Sequence, residues 1–146
     1  MFNMLSLLDS VGDKLKRVHL LYHMQLQHAM ETPTATFIVG LYNKQMAQGQ
    51  VVEVNDVGLV LRQFSGSRLS SLCWSQHIAV DSRGNIFVAD EDNNRILLLD
   101  SRLTLRRTIQ LNNKLPKRLC WNEQSGQLLV ALWCKRHVMV FDVLCR

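Results

Sequence analysis

Between residues 76 and 100 the apolar positions fall into three short runs divided by two polar turns. Ile78 and Val80 alternate with Ala79 and Asp81, Ser82-Arg83-Gly84-Asn85 interrupts the run, and residues 86–89 form a second run that ends at Asp90. Glu91-Asp92-Asn93-Asn94 is too polar and too rich in turn formers to continue a strand. Arg95-Ile96-Leu97-Leu98-Leu99 then restores apolar character. Runs of this length, each closed by turn residues, predict a three-stranded antiparallel meander.

The pattern recurs along the chain. Leu7-Leu8-Asp9-Ser10 returns as Leu98-Leu99-Asp100-Ser101, and related basic-apolar runs open at Leu15, Leu61 and Leu105, spaced 46 and 44 residues apart. Thr36-Phe37-Ile38-Val39, Asn85-Ile86-Phe87-Val88 and Gln127-Leu128-Leu129-Val130 are three versions of one inner strand, followed by strand-like runs at 51–55, 95–100 and 137–142. A period in the forties marks repeats that each form one supersecondary unit and stack on their neighbours. Gly84 and Gly126 occupy the turn before the inner strand in two copies, and Ala35 takes that place in the first. Losing glycine's easy access to positive φ predicts a wider turn, or one of another type, at Ala35. Residues 16–30 also fit the spacing of an amphipathic helix.

Gly84-Asn85-Ile86-Phe87-Val88-Ala89-Asp90, followed by Asn93-Asn94-Arg95-Ile96, resembles the core of an NHL repeat. The resemblance implies that each repeat is one four-stranded blade of a β-propeller, in a domain similar to the C-terminal domain of tripartite-motif NHL proteins. The expected fold is therefore all-β, a partial β-propeller of four-stranded antiparallel blades, about three of them, cut mid-blade at both ends. In this reading residues 1–27 hold the last strands of a preceding blade and 28–66 form a blade. Residues 76–111 form the blade nearest the NHL pattern, and 117–146 supply the first three strands of a further one. Inter-blade loops fall at 67–75 and 112–116. Propellers close with roughly four to eight blades, so the expectation is a fragment, or an arc that gains blades from a parent chain or a second chain.

Composition narrows the function. At 47% apolar the chain is a folded protein, and no apolar run approaches the roughly eighteen residues that cross a bilayer. The opening residues lack a positive n-region, and Asp9 and Asp13 interrupt their apolar stretch, so they do not read as a signal peptide. The expectation is a cytoplasmic protein with no membrane partner, whose cysteines (Cys73, Cys120, Cys134 and Cys145) are reduced thiols. No Cys-x-x-Cys and no zinc-finger spacing of histidines occurs, so neither a metal nor another cofactor is expected. The net charge of +5 favours acidic partners.

The resemblance implies that loops joining second to third strands, and those joining one blade to the next, share the partner-binding face. Tyr42, Lys44, Arg68, Trp74, Lys114, Lys117, Arg118, Trp133, Lys135 and Arg136 map on or near it. A protein partner is the leading expectation. Basic residues interleaved with aromatics also suit single-stranded RNA, where cations meet phosphates and rings stack on bases. Gly84, Asp90, Asn94 and Arg95 read as structural turn residues, with Asp90 and Arg95 pairing across the acidic turn. No serine elbow or phosphate loop is present, so the chain reads as non-catalytic. Ubiquitin-ligase activity would belong only to a longer parent chain with a RING domain. A related propeller class, the amidating lyases, needs metal-holding histidines at the ring centre. Here His28 and His77 read as polar residues at the openings of first strands.

Overall fold

The computed structural model describes residues 3–8, 10–20, 24–67, 70–72, 76–112, 114–133 and 136–143. Strands β1 (Asn3–Leu8) and β2 (Lys14–Leu20) form an antiparallel hairpin. A four-stranded antiparallel sheet follows in chain order, β3 (Gln25–Glu31), β4 (Phe37–Asn43), β5 (Gln48–Val54) and β6 (Val60–Phe64). After a two-residue ladder, β7 (Gly66–Ser67) with β8 (Ser70–Ser71), comes a second four-stranded sheet. Its strands are β9 (Gln76–Val80), β10 (Ile86–Asp90), β11 (Arg95–Leu99) and β12 (Leu105–Gln110). The third sheet has β13 (Pro116–Asn122), β14 (Gln127–Leu132) and β15 (Val138–Asp142). Among the described residues the one helical turn is a 3-10 turn at Glu91–Asn93. No helix there is long and apolar enough to cross a membrane.

The helical alternative for residues 16–30 gives way to strand pairing among the described residues: Lys16, Arg17, Val18, His19 and Leu20 lie opposite Leu7, Ser6, Leu5, Met4 and Asn3, and β3 is laddered to β4 from Gln25 onward. Residues 21–23 lie outside the described residues. Alternation explains the stacking of the sheets. Ile86 and Val88 face the first sheet, where they meet Ile38, Val51 and Leu72, whereas Phe87 and Ala89 face the third and meet Leu119, Leu128 and Val130. A strand covered on both faces is apolar throughout, and all five residues of β10 are buried. The hairpin covers the first sheet's other face, with Leu5 and Val18 against Phe37, Val39, Val52 and Val54. First strands converge, since β9 contacts both β3 and β13, and the fourth strands β6 and β12 are largely exposed. Sheets stacked face to face around converging first strands are the blades of a propeller arc.

Among the described residues one turn is used four times. Thr32, Asn55, Asp81 and Asp100 each accept, on a side-chain oxygen, the amides two and four residues on, at 2.8–3.3 Å. The residue three places on takes the left-handed conformation each time: Ala35 (φ 60°), Gly58 (86°), Gly84 (82°) and Leu103 (60°). The expectation of a wider or different turn at Ala35 is therefore corrected, because the Thr32 side chain and backbone bonds reproduce the Gly84 turn without glycine. Gly126 belongs to the divergent turn, a loop in which its amide donates to the Asn122 carbonyl at 2.9 Å.

Candidate functional site

Antiparallel strands reverse at each turn, so the C-terminal ends of β4, β10 and β14 and the N-terminal end of β13 lie at one end of the arc. The third sheet gathers several of the sequence-derived candidates there. Lys117, the second residue of β13, holds its Nζ 3.8 Å from the ring centroid of Trp133, which follows β14. The Trp133 amide donates to the Leu115 carbonyl at 2.9 Å, tying the 133–137 turn to the connection that precedes β13. The tryptophan remains 45% exposed. Arg118 donates from Nη1 to the Lys117 carbonyl at 3.0 Å, and Lys114 and Arg136 are exposed in the same two loops.

The first sheet contributes less. Tyr42 is partly buried at the end of β4 and Lys44 is exposed in the β4–β5 turn, two sheets away from Trp133. Arg68, Trp74 and Lys135 lie outside the described residues, as do Cys73, Cys134 and Cys145.

In the second sheet the charges that flank the 91–94 turn are used internally. Asp90 is wholly buried and accepts from Arg95 Nε at 2.6 Å and from Asn93 Nδ2 at 2.9 Å, while Arg95 is 8% exposed. A buried, paired and hydrogen-bonded carboxylate fixes the turn and offers no charge to a ligand. Asn94 closes the turn in the left-handed conformation, and its carbonyl accepts from the Leu111 amide at 2.8 Å. Gly84 lies at the opposite end, where a Cβ would stand 3.2 Å from that of Ser101.

Two histidines take a role that the sequence did not suggest: His77 stands at the opening of β9 as expected, whereas His28 lies deeper in its strand. His28 lies in the middle of β3 opposite Gly40, and its Nδ1 accepts the Ile78 amide of β9 at 3.1 Å. His77 of β9 lies opposite Ala89, and its Nδ1 accepts the Leu119 amide of β13 at 3.0 Å. Their rings stack with centroids 4.0 Å apart. They are inter-sheet bridges along the converging first strands, and not merely polar residues that open strands. The signal was present in the sequence: histidines occupy one strand position in two repeats, each opposite a residue small enough to leave room. Burial and then the Arg118 charge lower the pKa of His28. Burial, His28 and Arg118, in that order, lower His77 to about 4.

Another inter-sheet staple was unmarked in the sequence. Glu123 accepts from the Ser82 hydroxyl and amide of the second sheet and from Trp121 Nε1, and Trp121 stacks on Phe87 with centroids 5.0 Å apart. Beside it, at the end opposite the basic loops, clefts of about 160 and 200 Å³ open between neighbouring sheets, with Arg83 bordering both. Both fall short of the roughly 300 Å³ at which small-molecule pockets usually begin. Among the described residues no group of three or more His, Cys, Asp or Glu side chains stands together as a metal site.

These features define a β-propeller arc with a basic, tryptophan-bearing loop end. Solved structures agree on the fold. Hydrazine synthase of Kuenenia stuttgartiensis is 12% identical, with a TM-score of 0.67 over 96% of this chain and 51% of that one. A catalytically inactive virginiamycin B lyase from Staphylococcus aureus, solved with quinupristin, is 13% identical, with a TM-score of 0.59 over 98% of this chain and 50% of that one. The C-terminal WD40 domain of Sif2 is 14% identical, with a TM-score of 0.54 over 86% and 37%. The chain thus spans about half the length of the first two. No protein-family model matches the chain, and no curated protein matches it in sequence.

Proposed function

We propose that this propeller arc is a non-catalytic recognition module that binds a protein partner through the loop end carrying Lys117, Arg118, Trp133 and Arg136. The observation that carries the reading is the exposed Trp133 held under Lys117. A preorganised aromatic beside fixed cations is the composition of an interface hot spot. An RNA platform needs ring faces open to bases, and Lys117 already covers one face of Trp133. The tripartite-motif setting belongs to the same proposal: a RING domain on a longer parent chain would carry ubiquitin-ligase chemistry while the propeller selects the target, in the cytoplasm. It rests on the NHL-like run at 84–96.

The test is a purified partner, identified by capture from cell extract and remeasured in solution. Trp133→Ala is expected to weaken binding by about 2 kcal/mol, roughly thirty-fold, with modest salt dependence. Single-stranded RNA that binds instead with an affinity falling steeply with salt, weakened by charge reversal at Lys117, Arg118, Lys135 and Arg136, would replace this reading with the RNA one.

A further inference from the structure

The stacked histidines present an unbalanced set of donors at the convergence of the first strands. Each Nδ1 accepts a backbone amide, His28 from Ile78 and His77 from Leu119. A neutral imidazole that accepts on Nδ1 carries its proton on Nε2, so each ring turns an N–H donor away from its inter-sheet bond. Among the described residues neither Nε2 has a hydrogen-bond partner, and neither is a buried orphan atom, so both are open to solvent. The third first strand continues the series with a different residue. Ile78 follows His77 and Leu119 follows Arg118, so Arg118 holds on β13 the place that the histidines hold on β3 and β9.

Arg118 spends one Nη1 contact on the Lys117 carbonyl and is otherwise exposed. Its charge acts on both histidines, and among the described residues none of the three groups is paired with a carboxylate. Away from the two inter-sheet bonds, the row His28, His77, Arg118 therefore offers donors only, with no counter-charge among the described residues. A metal ion does not suit it. Coordination through Nε2 would move the ring proton to Nδ1, against the Ile78 or Leu119 amide. An anionic acceptor satisfies all three groups without disturbing either inter-sheet bond.

We propose that the row formed by His28, His77 and Arg118 is a carboxylate-binding site, occupied by an acidic side chain or the C-terminal carboxylate of the protein partner. The proposal rests on the protein-recognition reading above and gives that partner a required chemistry. Arg118 links the row to Lys117 and Trp133, so a bound segment would set its carboxylate on the first strands and its remaining contacts on the loops.

The experiment follows the imidazole nitrogens and the Arg118 side chain by NMR at pH 7 while sodium acetate is titrated against sodium chloride at equal ionic strength. Acetate is expected to shift the Nε2–H signals of both histidines and to leave the Ile78 and Leu119 amides in place. Arg118→Met, which keeps an apolar stem at an exposed position, should weaken the acetate response about ten-fold. His77→Asn retains an acceptor where Nδ1 stood but removes the Nε2 donor, and should weaken it as well. A glutamate-bearing peptide shifting the signals where its glutamine counterpart does not would place the site's carboxylate on a side chain. A C-terminal amide that abolishes binding would place it on the terminus. Equal responses to acetate and chloride overturn the proposal, and so does a response to inorganic phosphate without one to acetate. Partner binding that still depends on Trp133 while acetate has no effect overturns this site alone. Acetate shifts that persist while the partner ignores Trp133 overturn only the loop-end reading.

Discussion

His77 is held near pKa 4 because its ring is half-buried and shares its surroundings with two other nitrogenous groups, His28 on β3 and Arg118 on β13. The unfolded chain takes up this proton near the ordinary value of about 6.5, and the folded chain only near 4. Above 6.5 both states are neutral and the fold keeps its full stability. Between 6.5 and 4 the unfolded state binds more protons, so stability falls as pH falls, and below 4 this contribution levels off. With solvent screening at a half-exposed ring, the loss is about 1–2 kcal/mol. Urea unfolding across this range should show it, and His77→Asn, which can still accept the Leu119 amide but cannot titrate, should flatten the slope. An unchanged slope in that variant would assign the loss to other groups.

Four turns of one kind show which sequence signals survive at the level of the element and which mislead. Asp81 with Gly84 and Asn55 with Gly58 announce the turn, because an Asx side chain caps the amides and glycine takes positive φ without strain. Thr32 with Ala35 and Asp100 with Leu103 make the same turn although each puts a side chain in the left-handed region, since the capping oxygen and flanking ladders over-determine the backbone. Reading glycine alone therefore singled out the wrong turn. Alternation and turn composition did reveal the strands themselves, because a strand with covered faces needs apolar residues in short runs. The histidine bridge was not read, because its partners are backbone amides some fifty and forty residues away in sequence. The Lys117–Trp133 contact likewise spans two strands whose register no local pattern specifies. If Ala35 is strained, Ala35→Gly, at an exposed position, should raise stability by about 1 kcal/mol in denaturant unfolding. A loss of stability would mean that the added unfolded-state freedom of glycine outweighs the strain.

Across the whole molecule, equivalent residues meet different surroundings. Ile96 of β11 points toward the third sheet and is fully buried. Val138 holds the corresponding place on β15, 42 residues later, and is 53% exposed, with Val140 beside it at 54%. The sequence repeats the apolar position, whereas among the described residues the second sheet has a neighbour to cover it and the third has none. Burial, and not residue type, should then set the energetic weight of each position. Ile96→Ala is expected to cost about 2–5 kcal/mol, the range for opening a cavity in a packed core. Val138→Ala should stay within about 0.5 kcal/mol, as for a surface site. Amide exchange should follow the same gradient, slowest in β10 between two covered faces and fastest in β15 at the uncovered one. Joining this chain to further blades tests the cause directly. If a blade packs on the third sheet, the cost of Val138→Ala should rise toward that of Ile96→Ala and β15 should gain protection; if neither changes, that face is not where the arc continues.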